Sequence, residues 1–216
     1  WGGWQLVGFA GDVYALPQEN EMNYNADHAF MMKYDPQTRE WSRVATPSAE
    51  QLAAAGVCNV ASMAGTTYQG SLVVQITSNA REGDSEFYTV GSYWRYTAEG
   101  TWEHISVPSL DGVVLSMSAL GCDDENLYVF GGKGSYGYPN EFGEEGGEVK
   151  DILRLDLESG TAEEVGEMVR ERHNAQVAYR DGVFLVGGGQ NAAAQEASSM
   201  DVERLRVLDE AETVLS

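Results

Sequence analysis

Apolar residues along this chain gather into short runs that end in turn-forming residues. The stretch "NLYVFGG" (126–132), for example, is an apolar and aromatic run closed by two glycines, a pattern typical of a β-strand that ends in a tight turn. Only "TPSAEQLAAAG" (46–56) combines helix-forming residues with a serine placed to cap a helix. The pattern predicts an all-β protein with one short helix between strands.

The strand pattern also repeats along the chain. "NLYVFGGKG" (126–134) aligns with "GVFLVGGGQ" (182–190), which places Gly131-Gly132 over Gly187-Gly188. Two weaker copies, "DVYALPQEN" and "SLVVQITSN", precede these two. An extended segment precedes each copy, and two apolar-rich segments around a short polar turn follow it, so each repeat predicts four antiparallel strands. The predicted units are approximately 1–47, 56–108, 113–168 and 174–216.

These repeats resemble the kelch family. The resemblance lies in "NLYVFGG" followed by "ILRLDLESG", and in "RERHNAQVAYRDGVFLVGGGQ" followed by "ERLRVLDEAET". No repeat is complete: the first two keep Tyr34, Trp41, Tyr96 and Trp102 but lack the glycine pair, whereas the last two keep the glycines and lack the aromatic pair. The resemblance is to a divergent, bacterial type of kelch repeat, and it implies a β-propeller of four-stranded antiparallel blades.

Kelch propellers usually close with more blades than the four predicted in this chain. A four-bladed arc would leave one apolar face uncovered on each end blade. We therefore expect this segment to form part of a larger propeller. Missing blades, a partner chain and an unusual four-bladed closure all remain open.

The three glycines of "GVFLVGGGQN" also suggest a phosphate-binding loop, but this interpretation is weak. Neither GK[ST] nor GxGxxG follows the strand. The equivalent segment after Gly132 continues into "GSYGYPNEFGEEGG", which cannot form the helix N-terminus that holds a phosphate. The glycines therefore mark strand ends, and no nucleotide or other cofactor is predicted.

Net charge narrows the class of partner. Thirty-four acidic and thirteen basic residues give a formal charge of −21, which repels nucleic acid and anionic lipid surfaces. No apolar run is long enough to cross a bilayer, so membrane insertion is not predicted. The acidic surface favours an extracellular or cell-surface location for the protein.

Metal and disulfide chemistry are not predicted either. His28, His104 and His173 are far apart in sequence, and the acidic segments "GEEGGE" and "CDDEN" lack the spacing of known calcium loops. Cys58 and Cys122 should lie near opposite ends of their blades, farther apart than a disulfide allows. Both are expected to be reduced.

Function is expected in the connections from the second to the third strand of each blade, which are longer than the strands require and should emerge on one face. These loops offer aromatic and acidic side chains suited to a glycan or a basic protein surface. Arg172, at the turn entering the last blade, either bonds neighbouring backbone or holds a carboxylate of a ligand. The candidate ligand-binding residues are Tyr24, Tyr88, Tyr136, Tyr138, Glu141, Phe142 and Arg172.

Three functions are compatible with these features. The first is a noncatalytic recognition module that binds a protein or a glycan through the loop-rich face. The second is a carbohydrate-active enzyme such as a sialic-acid mutarotase, because enzymes of that kind share the kelch fold, although no catalytic residue can be matched here. The third is a structural blade array within a larger cell-surface protein.

Overall fold

A computed structural model describes residues 3–18, 30–82, 86–108, 110, 115–134, 147–190 and 201–207, without the side chains of 79–88. The chain folds into four antiparallel sheets arranged as a four-bladed β-propeller. The all-β fold class and the four-bladed arrangement predicted from the sequence are confirmed. No helix in these described ranges is long and apolar enough to span a membrane.

Each sheet follows the chain in order, and strands adjacent in sequence are paired. Sheet 1 contains β1 (Trp4–Phe9), β2 (Asp12–Pro17), β3 (Phe30–Asp35) and β4 (Glu40–Ala45). Sheet 2 contains β5 (Ser62–Tyr68), β6 (Ser71–Glu82), β7 (Glu86–Tyr96) and β8 (Trp102–Ile105).

The second half of the chain repeats this order. Sheet 3 contains β10 (Ala119–Cys122), β11 (Leu127–Gly134), β12 (Glu148–Asp156) and β13 (Thr161–Glu167), and the short β9 (Leu115–Ser116) also pairs with β11. Among the described residues, sheet 4 has three strands, β14 (Gln176–Arg180), β15 (Val183–Gly187) and β16 (Val202–Leu205).

The predicted helix is α1 (Ala49–Ala54), between sheets 1 and 2. Ser48 caps it: the Ser48 hydroxyl accepts a bond from the Gln51 backbone N–H, and the Gln51 side chain accepts one from the Ser48 N–H. This reciprocal pair satisfies two backbone donors at the start of the helix. Leu52 is fully buried and anchors the helix against the core between the two sheets.

The core consists of three apolar clusters, one between each pair of successive sheets. Sheets 1 and 2 bury Leu16, Met31, Leu72 and Trp94 together, and sheets 2 and 3 meet through a second cluster. Phe184 of sheet 4 contacts Phe130 and Tyr128 of sheet 3, with ring centroids 5.1 and 5.2 Å apart. Each sheet therefore packs face to face on its neighbours in the chain, as propeller blades do.

The structure corrects the alignment of the glycine pairs by one residue. Gly131 and Gly132 both have positive φ, and in sheet 4 the corresponding residues are Gly188 and Gly189, not Gly187 and Gly188. The two-residue turn Asp181-Gly182 fixes this alignment, because it pairs Arg180 with Val183 as the turn Gln69-Gly70 pairs Tyr68 with Ser71. Phe184 is therefore equivalent to Leu72, and both face the preceding sheet.

A second correction concerns "TSNAREGDSEFYTVGS" (77–92), which lies where the repeat predicts the long connection from the second to the third strand of the second blade. Its residues instead extend β6 and β7 as a paired ribbon, from Thr77 opposite Gly91 to Glu82 opposite Glu86. The β-favouring run Phe87–Val90 explains this pairing. Cys58 precedes β5, and Cys58 and Cys122 are both free thiols.

Candidate functional site

Buried polar side chains concentrate at one end of the propeller, which we call the loop end. At this end the chain enters the first strand of each sheet, and the connections from second to third strands also begin there. The other end carries the tight turns between first and second strands. The buried polar residues at the loop end are Gln18, Asn59, Ser62, Gln75, Thr77, Ser78, Ser116, Ser118, Glu148, Arg172 and His173.

Sheets 2 and 3 are joined at the loop end by side chains of β6. The Gln75 Oε1 accepts a bond from the Ser118 N–H at 2.9 Å, and the Thr77 hydroxyl accepts one from the Met117 N–H at 2.9 Å. Met117 has a φ of 55°, a left-handed conformation that is strained for a residue other than glycine. These bonds hold that conformation in place and satisfy backbone groups that would otherwise be buried without partners.

Sheets 3 and 4 are joined by the Arg172 guanidinium. Its Nη2 donates to Glu203 Oε1 at 2.5 Å, and its Nη1 donates to the Gly188 carbonyl at 3.0 Å. Glu203 also accepts bonds from the backbone N–H groups of Val169 and Arg170, at 2.7 and 3.1 Å. Because both charged side chains are almost fully buried, this pair fastens the start of sheet 4 to the end of sheet 3.

His173 and Glu148 form a second buried contact beside this pair. The His173 Nδ1 lies 3.4 Å from Glu148 Oε1, and both side chains are almost fully buried. The His173 backbone exchanges two hydrogen bonds with Gln190, at 3.1 and 2.9 Å. Backbone bonds therefore fix the position of His173 independently of its ring.

At the inner strands, the first and last sheets approach each other. Gln176 of β14 donates from its Nε2 to Gln18 Oε1, just after β2, at 2.7 Å. The Gln18 backbone N–H donates to the Gly3 carbonyl at 2.9 Å. The Gln18 side chain is buried, and its Nε2 has no partner among the described residues.

Most of the predicted ligand-binding residues fall outside the described ranges. Tyr24, Tyr136, Tyr138, Glu141 and Phe142 lie there, so their positions stay predictions.

The other two predicted residues lie within the described part of the chain. The Tyr88 backbone lies in β7 opposite Ala80, in the extended ribbon, while its side chain is not described. Arg172 is only 1% exposed and binds a carboxylate of its own chain together with backbone carbonyls. Its bonds agree with the first of its two expected roles, contact with neighbouring backbone.

A cleft of about 390 Å³ lies at the opposite end, between the turns of sheets 2 and 3. The Tyr68 hydroxyl donates to the Glu125 carbonyl at 2.7 Å and joins the two walls. Burial raises the pKa of Tyr68 and so further favours the protonated hydroxyl that donates this bond. Sequence reasoning missed this cleft, since its walls come from three turns that no single motif connects.

Carboxylates outnumber cations around the cleft. Arg154 is the only basic residue among the described residues that line it, and its Nη2 lies 2.7 Å from Glu163 Oε2. Hydrogen bonds from the Ser159 side chain and from the backbone of Ser159 and Glu158 lower the pKa of Asp156, which keeps it ionised. The cleft is therefore polar and negatively charged.

Three carboxylates also meet on the outer strands of sheet 3. One oxygen from each of Asp151, Glu164 and Glu167 lies within 4.8 Å of the others. Burial, together with the charge of Glu164, raises the pKa of Asp151. Lys150 Nζ lies 2.5 Å from Glu167 Oε2 and offsets part of this negative charge. The close approach of three carboxylates destabilises the fold locally through charge repulsion, and we infer no metal site from it.

Comparison with known proteins adds no relative: no protein-family model and no curated protein matches this sequence. The fold is a four-bladed β-propeller, and the kelch resemblance rests on the repeat motifs alone.

Proposed function

We propose that this chain is a kelch-type, noncatalytic recognition module that binds a protein or a glycan at its loop end. The observation that carries the proposal is the unequal length of the connections at the two ends. First and second strands are joined by turns as short as Ala10-Gly11 and Asp181-Gly182. Second and third strands are separated by residues 18–29, 135–147 and 188–201. Chain length beyond what the sheets need is typical of binding surfaces on a rigid scaffold.

The hydrogen bonds at the loop end support this proposal. Arg172 fixes Gly188, where the connection from second to third strand of sheet 4 starts, and Gln75 and Thr77 fix the segment that enters β10 of sheet 3. A binding surface works best when its supporting residues are already ordered, because less conformational entropy is lost on binding. The loop end provides such support in sheets 3 and 4.

Residue chemistry defines the class of ligand. Tyr24, Tyr136, Tyr138 and Phe142 can stack on the faces of sugar rings, while Glu141 accepts bonds from sugar hydroxyls or pairs with a basic side chain. The net charge of −21 attracts basic protein surfaces and disfavours anionic glycans. A neutral glycan or a basic protein surface is thus the expected ligand, in an extracellular or cell-surface setting.

A binding experiment with matched variants tests the proposal. The chain is screened against neutral, anionic and basic glycans and against basic peptides, at moderate and at high salt. Tyr136→Ser and Tyr138→Ser should weaken binding of the selected ligand by roughly tenfold or more, as expected for aromatic anchors. Tyr68→Ser, at the opposite end, is the control and should leave binding unchanged.

Two outcomes would contradict the proposal. Binding that disappears at high salt and is insensitive to the tyrosine substitutions would indicate nonspecific electrostatic attraction. A positive sialic-acid anomerisation assay in the absence of specific binding would favour the mutarotase alternative instead.

A further inference from the structure

One face of sheet 1 is apolar and exposed. The side chains of Trp4 and Leu6 in β1 and Trp41 in β4 are 48%, 64% and 49% exposed. Phe30 lies beside Trp4, with ring centroids 6.3 Å apart, and Arg43 stacks over the Phe30 ring at 4.3 Å. An apolar, aromatic surface of this kind on one sheet is typical of an interface.

The repeat shows what this face is equivalent to. Tyr34 pairs with Trp41 in sheet 1, as Tyr96 pairs with Trp102 in sheet 2, and the ring centroids are 5.1 and 5.0 Å apart. In sheet 2 the pair is buried, with Tyr96 7% and Trp102 8% exposed.

Sheet 1 covers the Tyr96–Trp102 pair of sheet 2. Phe9 and Tyr14 lie 6.4 and 5.8 Å from Tyr96 between ring centroids. The Trp102 indole N–H donates to the Ala45 carbonyl at 2.8 Å. Trp41 is thus more exposed than its counterpart although its own sheet has the same structure.

Sheet 4 has the complementary exposed face. By the corrected alignment, Leu185 is equivalent to Tyr14 and Val73, which the following sheet buries to 4% and 1% exposure. Leu185 is 45% exposed, and Val202 on the same face is 65% exposed. Sheet 1 and sheet 4 therefore present the two opposite halves of the interface that joins successive sheets.

The glycines indicate the same incomplete contact. A Cβ on Gly131 would lie 2.5 Å from the Arg172 carbonyl, in the segment that enters sheet 4. Gly188 occupies the equivalent position in sheet 4, and there no described atom lies within 4 Å of such a Cβ. The place that a following sheet's entering segment occupies beside Gly131 is open beside Gly188.

A contact between Gln18 and Gln176 must be broken by any sheet that is inserted between sheets 4 and 1. This hydrogen bond, 2.7 Å long, joins the inner strands of the two end sheets. Any sheet inserted between sheets 4 and 1, whether a further blade or a sheet of a second copy, would separate these strands and break the bond. The loss of this one hydrogen bond is set against two apolar faces that are exposed without a further sheet, at Trp41 (49%) and Leu185 (45%).

We propose that the exposed faces of sheets 1 and 4 bind further four-stranded blades of this same repeat, inserted between them to close the ring. The blade next to sheet 1 would present apolar or aromatic side chains in the places of Phe9 and Tyr14. The blade next to sheet 4 would present the equivalents of Leu72 and Trp94. The occupant is thus defined by the interface that sheets 1 to 4 already form three times.

The test extends the 216-residue chain at its C-terminus with a copy of residues 56–108, and in a second protein with a copy of residues 56–168. Hydroxyl-radical footprinting then measures the oxidation of Trp41 and Leu185. One of the two extensions should lower the oxidation rate of Trp41 towards that of Trp102 and should protect Leu185 as well.

Matched controls carry glutamate on the outward face of the last added sheet. These are Val73→Glu with Tyr93→Glu in the shorter copy, and Tyr128→Glu with Phe130→Glu in the longer one. They should protect Leu185 and leave Trp41 reactive, which separates specific coverage from a general effect of added chain. If neither extension protects Trp41 and Leu185 together, the proposal is wrong.

Sedimentation velocity on the unextended chain tests the remaining alternative, in which a second copy of the chain covers the two faces. The proposal expects Trp41 and Leu185 to be reactive in the monomer. A discrete two-chain particle in which both side chains are as protected as Trp102 would show that a second copy is the occupant, and would overturn the proposal.

Discussion

At the scale of single residues, backbone conformation and close approach explain the glycine pairs. Gly131 has a φ of 57°, and its Cα faces the Arg172 carbonyl and the Met168 side chain at distances too short for a Cβ. Both constraints favour glycine. The strand-end role predicted from the sequence therefore has a physical cause in the contact with the next sheet.

Gly131→Ala should destabilise the protein by about 3 kcal/mol or more, since it combines left-handed strain with overlap against backbone. Gly188→Ala is the matched control, because Gly188 has a φ of 68° and no described atom lies within 4 Å of a Cβ placed on it. It should cost about 1–2 kcal/mol from strain alone. Urea unfolding followed by tryptophan fluorescence measures both, and equal losses would contradict the role assigned to close packing.

Two carboxylates should affect stability with opposite signs. Burial raises the pKa of Asp151 above its ordinary value of 3.8, and Asp151 lies directly opposite Glu167 across β12 and β13. The folded state therefore disfavours ionised Asp151 above its folded pKa, and this cost vanishes below pH 3.8, where both states are protonated. Asp151→Asn should stabilise the protein at pH 7 by about 0.5–1 kcal/mol, as for removal of a like-charge pair across strands.

Asp156→Asn provides the comparison for Asp151→Asn. The pKa of Asp156 is lowered, so its ionised form stabilises the fold above the unfolded pKa, and the contribution is lost as the pH falls through the folded pKa. The substitution should destabilise at pH 7, and the loss should shrink as the pH falls below 3.8. Thermal unfolding midpoints between pH 3 and 7 measure both variants, and the same sign for both at pH 7 would refute this assignment.

At the scale of strands and sheets, the buried ion pair of Arg172 and Glu203 holds sheet 4 to the end of sheet 3. Glu203→Gln should destabilise the protein by about 3 kcal/mol, because it leaves the Arg172 guanidinium buried without a counter-charge. Glu163→Gln removes a carboxylate from the exposed pair with Arg154 and should cost less than about 1 kcal/mol. Chemical denaturation compares them, and similar losses would show that burial does not strengthen the first pair.

The sequence predicted most strands and hairpins correctly, because apolar runs and turn residues mark them locally. The alignment of sheet 4 was wrong by one residue because three consecutive glycines fit two alignments equally well. The turn Asp181-Gly182 decides between them, since two-residue turns fix which residues pair. The ribbon of β6 and β7 was mistaken for a loop because its polar residues hide the strand-forming run that ends at Val90.

At the scale of the whole molecule, the repeat predicted the four-bladed arrangement and its two exposed apolar faces. It could not predict the cleft beside Tyr68, which depends on how turns of two sheets meet in space. Nor could it show how Arg172 is bonded, because its partner Glu203 lies 31 residues away on another strand. Contacts within one repeat can be inferred from its motif, whereas contacts between repeats need their relative placement.

The number of faces on which a sheet is packed also determines which sheets should unfold first. Among the described residues, sheets 2 and 3 pack against neighbouring sheets on both faces, and sheets 1 and 4 on one face. In a linear array of repeats, stability is the sum of each unit and its interfaces, so the end units are the first to unfold. Amide hydrogens of β6 and β11 should consequently exchange slowly with solvent, and those of β14 to β16 rapidly. The end sheets would then unfold locally while the central sheets stay folded.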